Sequence, residues 1–176
     1  MNDDFEKIIN SADIQKQVSR VAAEISFYIR KNHIEVLDIL WIADGAMFFA
    51  ADVMRQISGK IRASSIKVSS YGDSLKSNKS PAFEADMSKY KGCDVLVIDD
   101  ILDTGLTMSL IVECLLKSGV KSARSCVMFN KKIKNKKMEN ADFCGMPVED
   151  KFILGYGLDF KGLYRNLPDV WAYLGK

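Results

Sequence analysis

Apolar positions along the chain fall into two rhythms. From Asp13 to about Lys31 they recur at helical spacing, with Ile14, Val18, Val21, Ala22 and Ile25 on one stripe, which predicts an amphipathic helix. Val36 to Ile42 is mostly apolar and predicts a strand. Gly45 breaks it, and Met47 to Ile57 resumes helical spacing. Ile66 and Val68 mark a short strand ending in Ser69-Ser70-Tyr71-Gly72, and Asp73 to Pro81 is polar enough to read as a loop. Val95 to Ile98 is apolar and mostly β-branched, which fits a strand covered on both faces. Met108, Ile111, Val112, Leu115 and Leu116 then form one helical stripe. Lys117 suits the negative end of that helix dipole, and Gly119 is a good residue to follow its end. Cys126 to Phe129 and Phe152 to Leu154 are further strand candidates. Strands alternating with helices predict an α/β fold with a mainly parallel sheet. No repeat or linker divides residues 1–176, so one domain is expected.

Composition narrows this picture only modestly. The chain has 176 residues, 48% hydrophobic and 27% charged, which suits one globular domain with a full core. A net charge of +2 is too small to imply nucleic acid by itself. Cys93, Cys114, Cys126 and Cys144 show no CxxC spacing, so buried free thiols and a reducing, cytoplasmic compartment are expected. The start, MNDDFEKII, lacks a signal-peptide pattern, and Asp38, Asp44 and Asp52 interrupt the apolar runs, so no membrane span is expected. The single histidine, His33, follows Lys31-Asn32 at the expected helix end. A Ser-His-Asp triad or a histidine-based metal site is therefore not expected.

The chemistry concentrates in Val95 to Thr107, VLVIDDILDTGLT. Asp99, Asp100 and Asp103 cannot sit inside an apolar core, so they are expected at or beyond the carboxyl end of the strand, where open parallel sheets bind ligands. Gly105 lets the backbone turn sharply and approach a ligand, and Thr104 and Thr107 flank it with hydroxyls. Free N–H groups at the start of the following helix make an anion site. The order suits a ligand with sugar hydroxyls at one end and a phosphate at the other.

This thirteen-residue string resembles the phosphoribosyl-diphosphate (PRPP) signature of the type I phosphoribosyltransferases. Other segments, in consistent order from about Leu37 to the C-terminus, are similar to the hypoxanthine-guanine branch of that family: DGAMFFAAD, VSSYG, Asn130-Lys131 and KFILGYGLDFKGLYRNLP. The resemblance implies a type I phosphoribosyltransferase fold, a mainly parallel central sheet flanked by helices with a small hood formed by the termini. It also implies roles. Asp99 and Asp100 match the acidic pair on the ribose hydroxyls of PRPP, and are counted with Asp159 as candidate Mg²⁺ ligands. Asp103 matches the proposed general base for the N7 proton of the purine. Thr104, Gly105, Leu106 and Thr107 match the 5′-phosphate loop. Lys131 matches the lysine that donates to the purine's exocyclic oxygen, selecting 6-oxopurines over adenine because an ammonium only donates. Phe152 matches the aromatic stacked on the purine, and Ile153 the position whose backbone meets the purine edge. Gly45 and Arg165 match pyrophosphate-binding positions. Ser70 and Tyr71 match the loop that closes over the reacting centre and excludes water.

The implied activity is Mg²⁺-dependent transfer of the 5-phosphoribosyl group from PRPP to N9 of hypoxanthine or guanine, by a homodimer or homotetramer. One departure stands out: where this family often carries a basic residue before a glycine in the pyrophosphate loop, this chain has Asp44-Gly45. The lysines at 132, 134, 136 and 137 read as a solvated basic face. They also supply the main rival, an RNA-binding regulator on the same fold. That rival is disfavoured by the small net charge and the lack of interleaved aromatics. A receiver-type signalling domain would need its acidic pair early and a later phosphoacceptor aspartate, and nothing of that kind follows Val127-Met128-Phe129.

Overall fold

The computed structural model describes residues 4–69, 82–83 and 86–175. Its centre is a sheet in the order β4-β3-β2-β5-β6-β7, formed by Ala82–Phe83 (β4), Ile61–Ser69 (β3), Leu37–Ala43 (β2), Asp94–Leu102 (β5), Ser122–Lys131 (β6) and Phe143–Val148 (β7). The five strands from β3 to β7 run parallel, and the two-residue β4 adds antiparallel to the outer edge of β3. Side-chain alternation explains why the inner strands read as unbroken apolar runs. Leu37, Ile39, Leu96, Ile98, Cys126 and Met128 face a core shared with helices Ser11–Lys31 (α1) and Met47–Met54 (α2). Leu40, Ile42, Val95, Val97 and Val127 face a second core closed by Leu106–Lys117 (α3). A parallel sheet covered on both faces has no polar side to show.

Helix α1 starts two residues before the predicted Asp13. The Asn10 side chain accepts a hydrogen bond from the Asp13 N–H at 2.9 Å and caps it. Buried carboxylates anchor the other end of the sheet, away from the motif. Asp38 accepts two hydrogen bonds from the Arg62 guanidinium, at 2.8 and 2.7 Å, and Asp94 accepts from Ser122 Oγ at 2.6 Å and from Lys121 Nζ at 3.1 Å. Both sit at strand beginnings, and each buried carboxylate is satisfied by these partners, as a buried charge must be.

Several elements differ from the sequence expectation. Strand β3 begins at Ile61, five residues before Ile66, because its leading half is an outer strand in which Arg62, Ala63 and Ser65 are exposed and no apolar run marks it. Helix α2 ends at Met54 rather than Ile57. Strand β5 extends past the expected Ile98 to Leu102, so the acidic pair lies in its carboxyl-terminal part and Asp103 just beyond it, as the sequence implies. Strand β7 was not foreseen, since Pro147 weakens the strand signal; it is tolerated because β7 is the edge strand. Of the four cysteines, all free, only Cys126 is fully buried; Cys93, Cys114 and Cys144 are half-buried.

The termini build the expected hood. Phe5–Ile9 (β1), Val170–Tyr173 (β9) and Ile153–Leu154 (β8) form a separate antiparallel sheet in the order β1-β9-β8. The Phe152–Leu154 run thus belongs to the hood and not to the main sheet. Aromatic rings fill the hood: Phe160 lies 5.0 Å from Tyr173 and 5.9 Å from Phe5, centroid to centroid. No helix among the described residues is long and apolar enough to cross a membrane.

Candidate active site

The carboxyl ends of β5 and β6 meet the hood across a cleft of about 430 Å³, lined by Asp100, Asp103, Lys131, Phe152, Ile153 and Asp159 among others. Beside it lies a smaller hollow of about 70 Å³, enclosed by Asp99, Asp103 and the turn from Thr104 to Thr107. Asp103 lines both. The residues assembled from distant parts of the sequence therefore surround two neighbouring spaces, the larger lined by aspartates, lysines and apolar side chains together, the smaller by Asp99, Asp103 and the turn that follows.

The smaller hollow follows from local sequence. After β5 the chain turns through Gly105, whose φ of 77° is left-handed and natural for glycine. A Cβ there would also come within 2.8 Å of Met138 backbone atoms, so the turn is pinned from behind. Helix α3 starts at once with no side-chain cap from Gly105, and Leu106 N donates to Thr104 Oγ1 at 3.3 Å. Leading N–H groups that no cap consumes are donors for an anion.

Asp99 and Asp100 are half-buried and alternate across the strand. Burial and then the neighbouring Asp100 charge push the Asp99 carboxyl well above the usual range. Burial also raises Asp100, while hydrogen bonds from its surroundings and the Arg165 charge work against that rise. Asp100 Oδ1 accepts from the Ile101 N–H at 2.7 Å, and its other oxygen sits directly over Gly45. A Cβ at Gly45 would lie 1.8 Å from Asp100 Oδ2. Gly45 thus brings the turn after β2 against the acidic pair. Gly157 in turn packs on Gly45: a Cβ there would lie 2.0 Å from the Gly45 carbonyl oxygen. Asp44, joined to Ala43 by a cis peptide bond, is exposed and takes no part in these contacts.

Across the larger cleft, Lys131 is 15% exposed and its Nζ lies 3.5 Å from Asp103 Oδ2 and 3.3 Å from Asp150 Oδ1. Phe152 is 50% exposed, an open ring held on one edge by Phe160 at 5.6 Å. Ile153 is buried behind it, in β8. Asp159 has both oxygens engaged, Oδ1 with Arg165 at 2.8 Å and Oδ2 with the Gly162 N–H at 2.8 Å. Arg165 also donates to the Gly157 carbonyl at 2.6 Å, so it reaches the Gly45 side of the site through that residue. Ser70 and Tyr71 lie outside the described residues.

Sequence reading missed three supports. Tyr156 has a left-handed φ of 50°, and its hydroxyl donates to Asp52 Oδ2 at 2.8 Å. Burial, reinforced by Asp52, pushes that hydroxyl's pKa up, so it stays a donor. The contact ties the hood to α2. Gly157 is the second support. The third corrects an expectation: Lys136 is not part of a solvated face. Its Nζ donates to Leu102 O, Asn130 Oδ1 and Lys131 O, and burial lowers its pKa. Lys132 keeps the solvated reading, paired at the surface with Glu149.

Comparison with known proteins agrees with this fold. The family model for the phosphoribosyl transferase domain matches residues 6–161. A hypoxanthine-guanine phosphoribosyltransferase of Aquifex aeolicus is 40% identical, over 93% of this chain and 92% of its own. A hypoxanthine-guanine-xanthine phosphoribosyltransferase of Tritrichomonas foetus is 36% identical, over 97% of this chain and 92% of its own. The hypoxanthine phosphoribosyltransferase of Trypanosoma cruzi, solved in complex with the product IMP, superposes with a TM-score of 0.88 at 25% identity, covering 98% of this chain and 96% of that one. With a family model over most of its length and relatives of this identity and coverage, the chain belongs to the phosphoribosyltransferase family, on its hypoxanthine-guanine branch.

Proposed function

We propose that this chain transfers the 5-phosphoribosyl group from PRPP to N9 of hypoxanthine or guanine, releasing pyrophosphate and the nucleoside monophosphate. One observation carries the reading: the Asp103 carboxylate and the Lys131 ammonium sit side by side, 3.5 Å apart, at the mouth of the cleft. A 6-oxopurine presents N7 and O6 as neighbours on one edge. A carboxylate accepting the N7 proton and an ammonium donating to O6 must therefore also be neighbours. Adenine places donors where the ammonium needs an acceptor.

In this reading the turn from Thr104 to Thr107 binds the 5′-phosphate, and Asp99 and Asp100 accept from the ribose hydroxyls. Phe152 offers its open face to the purine ring, with Phe160 keeping it in place. Arg165 and the backbone around Gly45 take the diphosphate. Positioning of this kind supplies at most about 7–11 kcal/mol of the barrier. The pairing of N7 with Asp103 removes the proton as the N9 bond to the sugar forms.

Magnesium fits this donor set in a particular way. Among the described residues no three carboxylate, histidine or cysteine side chains converge on one point. Mg²⁺ retains waters and is held by one or two carboxylates together with substrate phosphates. Asp99 and Asp100 are the side chains for that part; Asp159 is already committed to Arg165 and Gly162. The ion, when bound, supplies neutralisation of the diphosphate leaving group.

The RNA-binding alternative loses its main support, because the lysine run does not present a uniform basic surface: Lys136 is turned inward and Lys132 is paired. The deciding experiment is a competition assay with PRPP, Mg²⁺ and each of hypoxanthine, guanine, xanthine and adenine, the product identified by mass. Expected are the monophosphates of hypoxanthine or guanine and none from adenine. Equal use of adenine, or no product with any base, would overturn the reading.

A further inference from the structure

The segment from Lys131 to Asp142 leaves β6, turns back through Asn135 at a left-handed φ of 59°, and returns toward β7. Its turn delivers one lysine inward. The Lys136 ammonium lies 2.8 Å from the Leu102 carbonyl, 3.0 Å from the Lys131 carbonyl and 2.5 Å from Asn130 Oδ1. An ammonium has three N–H donors, and these three acceptors use them all. Asn130 is oriented for this, since its Nδ2 donates to Glu139 O and Asn140 Oδ1, each at 3.2 Å, and leaves its oxygen for Lys136.

The place of these acceptors matters. Leu102 and Asn130 are partners in the last rung of the β5–β6 ladder. Asp103 follows β5 directly, and Lys131 is the last residue of β6. Beyond the last rung no ladder bond holds the two strands at a set distance, yet the two side chains that face the purine edge spring from just there. Lys136 bridges that opening. Its neighbours brace the other wall: the Lys137 N–H donates to the Thr104 carbonyl at 2.8 Å, and Met138 packs against Gly105.

We propose that Lys136 is a positioning residue, whose ammonium clasps the ends of β5 and β6 and so sets the spacing between Asp103 and Lys131. It does not touch substrate. The inference rests on the reading that these two side chains meet the purine. A displacement of about 1 Å at a reacting group costs up to roughly 100-fold in rate, so a clasp at this point acts on the purine half of the reaction more than on the fold.

The test uses Lys136→Met, which keeps the length of the stem and removes all three donors, with Lys136→Arg and Asn130→Ala beside it. Lys134→Met, an exposed neighbour in the same run, is the control. With Lys136→Met, kcat is expected to fall roughly 10- to 100-fold and the KM for hypoxanthine to rise, while the KM for PRPP stays within about twofold. Lys136→Arg, which keeps donors, recovers part of both losses, and Lys134→Met behaves as the parent protein. A Lys136→Met protein with lowered thermal stability but parental kcat and hypoxanthine KM would show a purely structural lysine and end the proposal; so would equal damage to both substrates. If Lys136→Met fails to fold, Asn130→Ala decides the matter: it removes one acceptor and must show the same split, smaller in size, or the clasp is refuted. Absence of turnover in the parent protein would instead indict the functional reading. The clasp is then judged by hypoxanthine binding in calorimetry, which Lys136→Met must weaken and Lys134→Met must not.

Discussion

Replacing Gly45 with alanine isolates the contact on which the acidic pair depends. The φ of Gly45 lies outside the left-handed region, so alanine meets no backbone penalty there. What it meets is Asp100: the new methyl would lie 1.8 Å from Oδ2 and 2.8 Å from Cγ, short of ordinary contact by about 1.6 Å at the oxygen. The carboxylate cannot yield freely, because its other oxygen accepts from the Ile101 N–H at 2.7 Å and its backbone is locked in β5. Either Asp100 rotates away and loses that bond, or the turn carrying Gly45 lifts toward Gly157, whose own contact with the Gly45 carbonyl leaves no slack. Overpacking of this kind costs about 1–3 kcal/mol of stability. PRPP affinity should fall roughly 10- to 100-fold, since in the proposed function the displaced carboxylate is one that accepts from the ribose. Chemical denaturation of the ligand-free protein and calorimetric titration with PRPP and Mg²⁺ measure the two effects. The double variant Gly45→Ala/Asp100→Ala sharpens the test: with the clash removed, most of the stability penalty should vanish, a coupling of about 1–3 kcal/mol, while PRPP affinity stays low. Parental PRPP affinity in the single variant, or a penalty that persists in the double, would refute the steric argument.

Other expectations follow from the same geometry. Asp103→Asn should lower kcat by roughly 10²–10⁴-fold with PRPP binding retained, measured by steady-state rates beside calorimetry; near-parental turnover would remove Asp103 from the base role. Lys131→Ala should raise the KM for hypoxanthine by roughly 10- to 100-fold, the worth of a hydrogen bond from a charged donor, and leave PRPP little changed; equal loss for both would point to collapse of the site. Asp99→Asn should stabilise the ligand-free protein at neutral pH while abolishing activity. The native carboxyl titrates above its ordinary value, so between those two points the folded state holds a proton that the unfolded chain has released, and stability falls as pH rises through that window. Denaturation of parent and variant from roughly pH 4 to pH 8 should show a difference that grows with pH, and a constant difference would contradict it.

How much of this could be read from the chain depends on where each signal is stored. The central strands and α1 are stored locally: a buried parallel strand has to be apolar at every position, and Ile14, Val18, Val21 and Ile25 must share a stripe. The aspartates and the glycine turn were legible for a related reason. Three carboxylates within five residues of a four-residue apolar run are out of place in any core, so they announce a strand end with a purpose. Supports held in place by distant partners leave no such mark. Tyr156 is an ordinary tyrosine until Asp52 receives its hydroxyl from α2, and Gly157 is an ordinary turn glycine until the carbonyl of Gly45 lies against it. Strands β1 and β9 are too short to outweigh their flanks and exist because they pair with one another. Lys136 shows the sharpest form of the problem. A run of lysines is read by its average, and its average is solvated; the one member turned inward differs from its neighbours only through a left-handed residue before it and three oxygens that the turn brings around it, one of them Leu102 O, 34 residues back in the chain. Local composition therefore identifies the candidate groups for chemistry, because they violate the rules of the element that carries them. The groups that hold those in register obey every local rule, and only tertiary contact sets them apart.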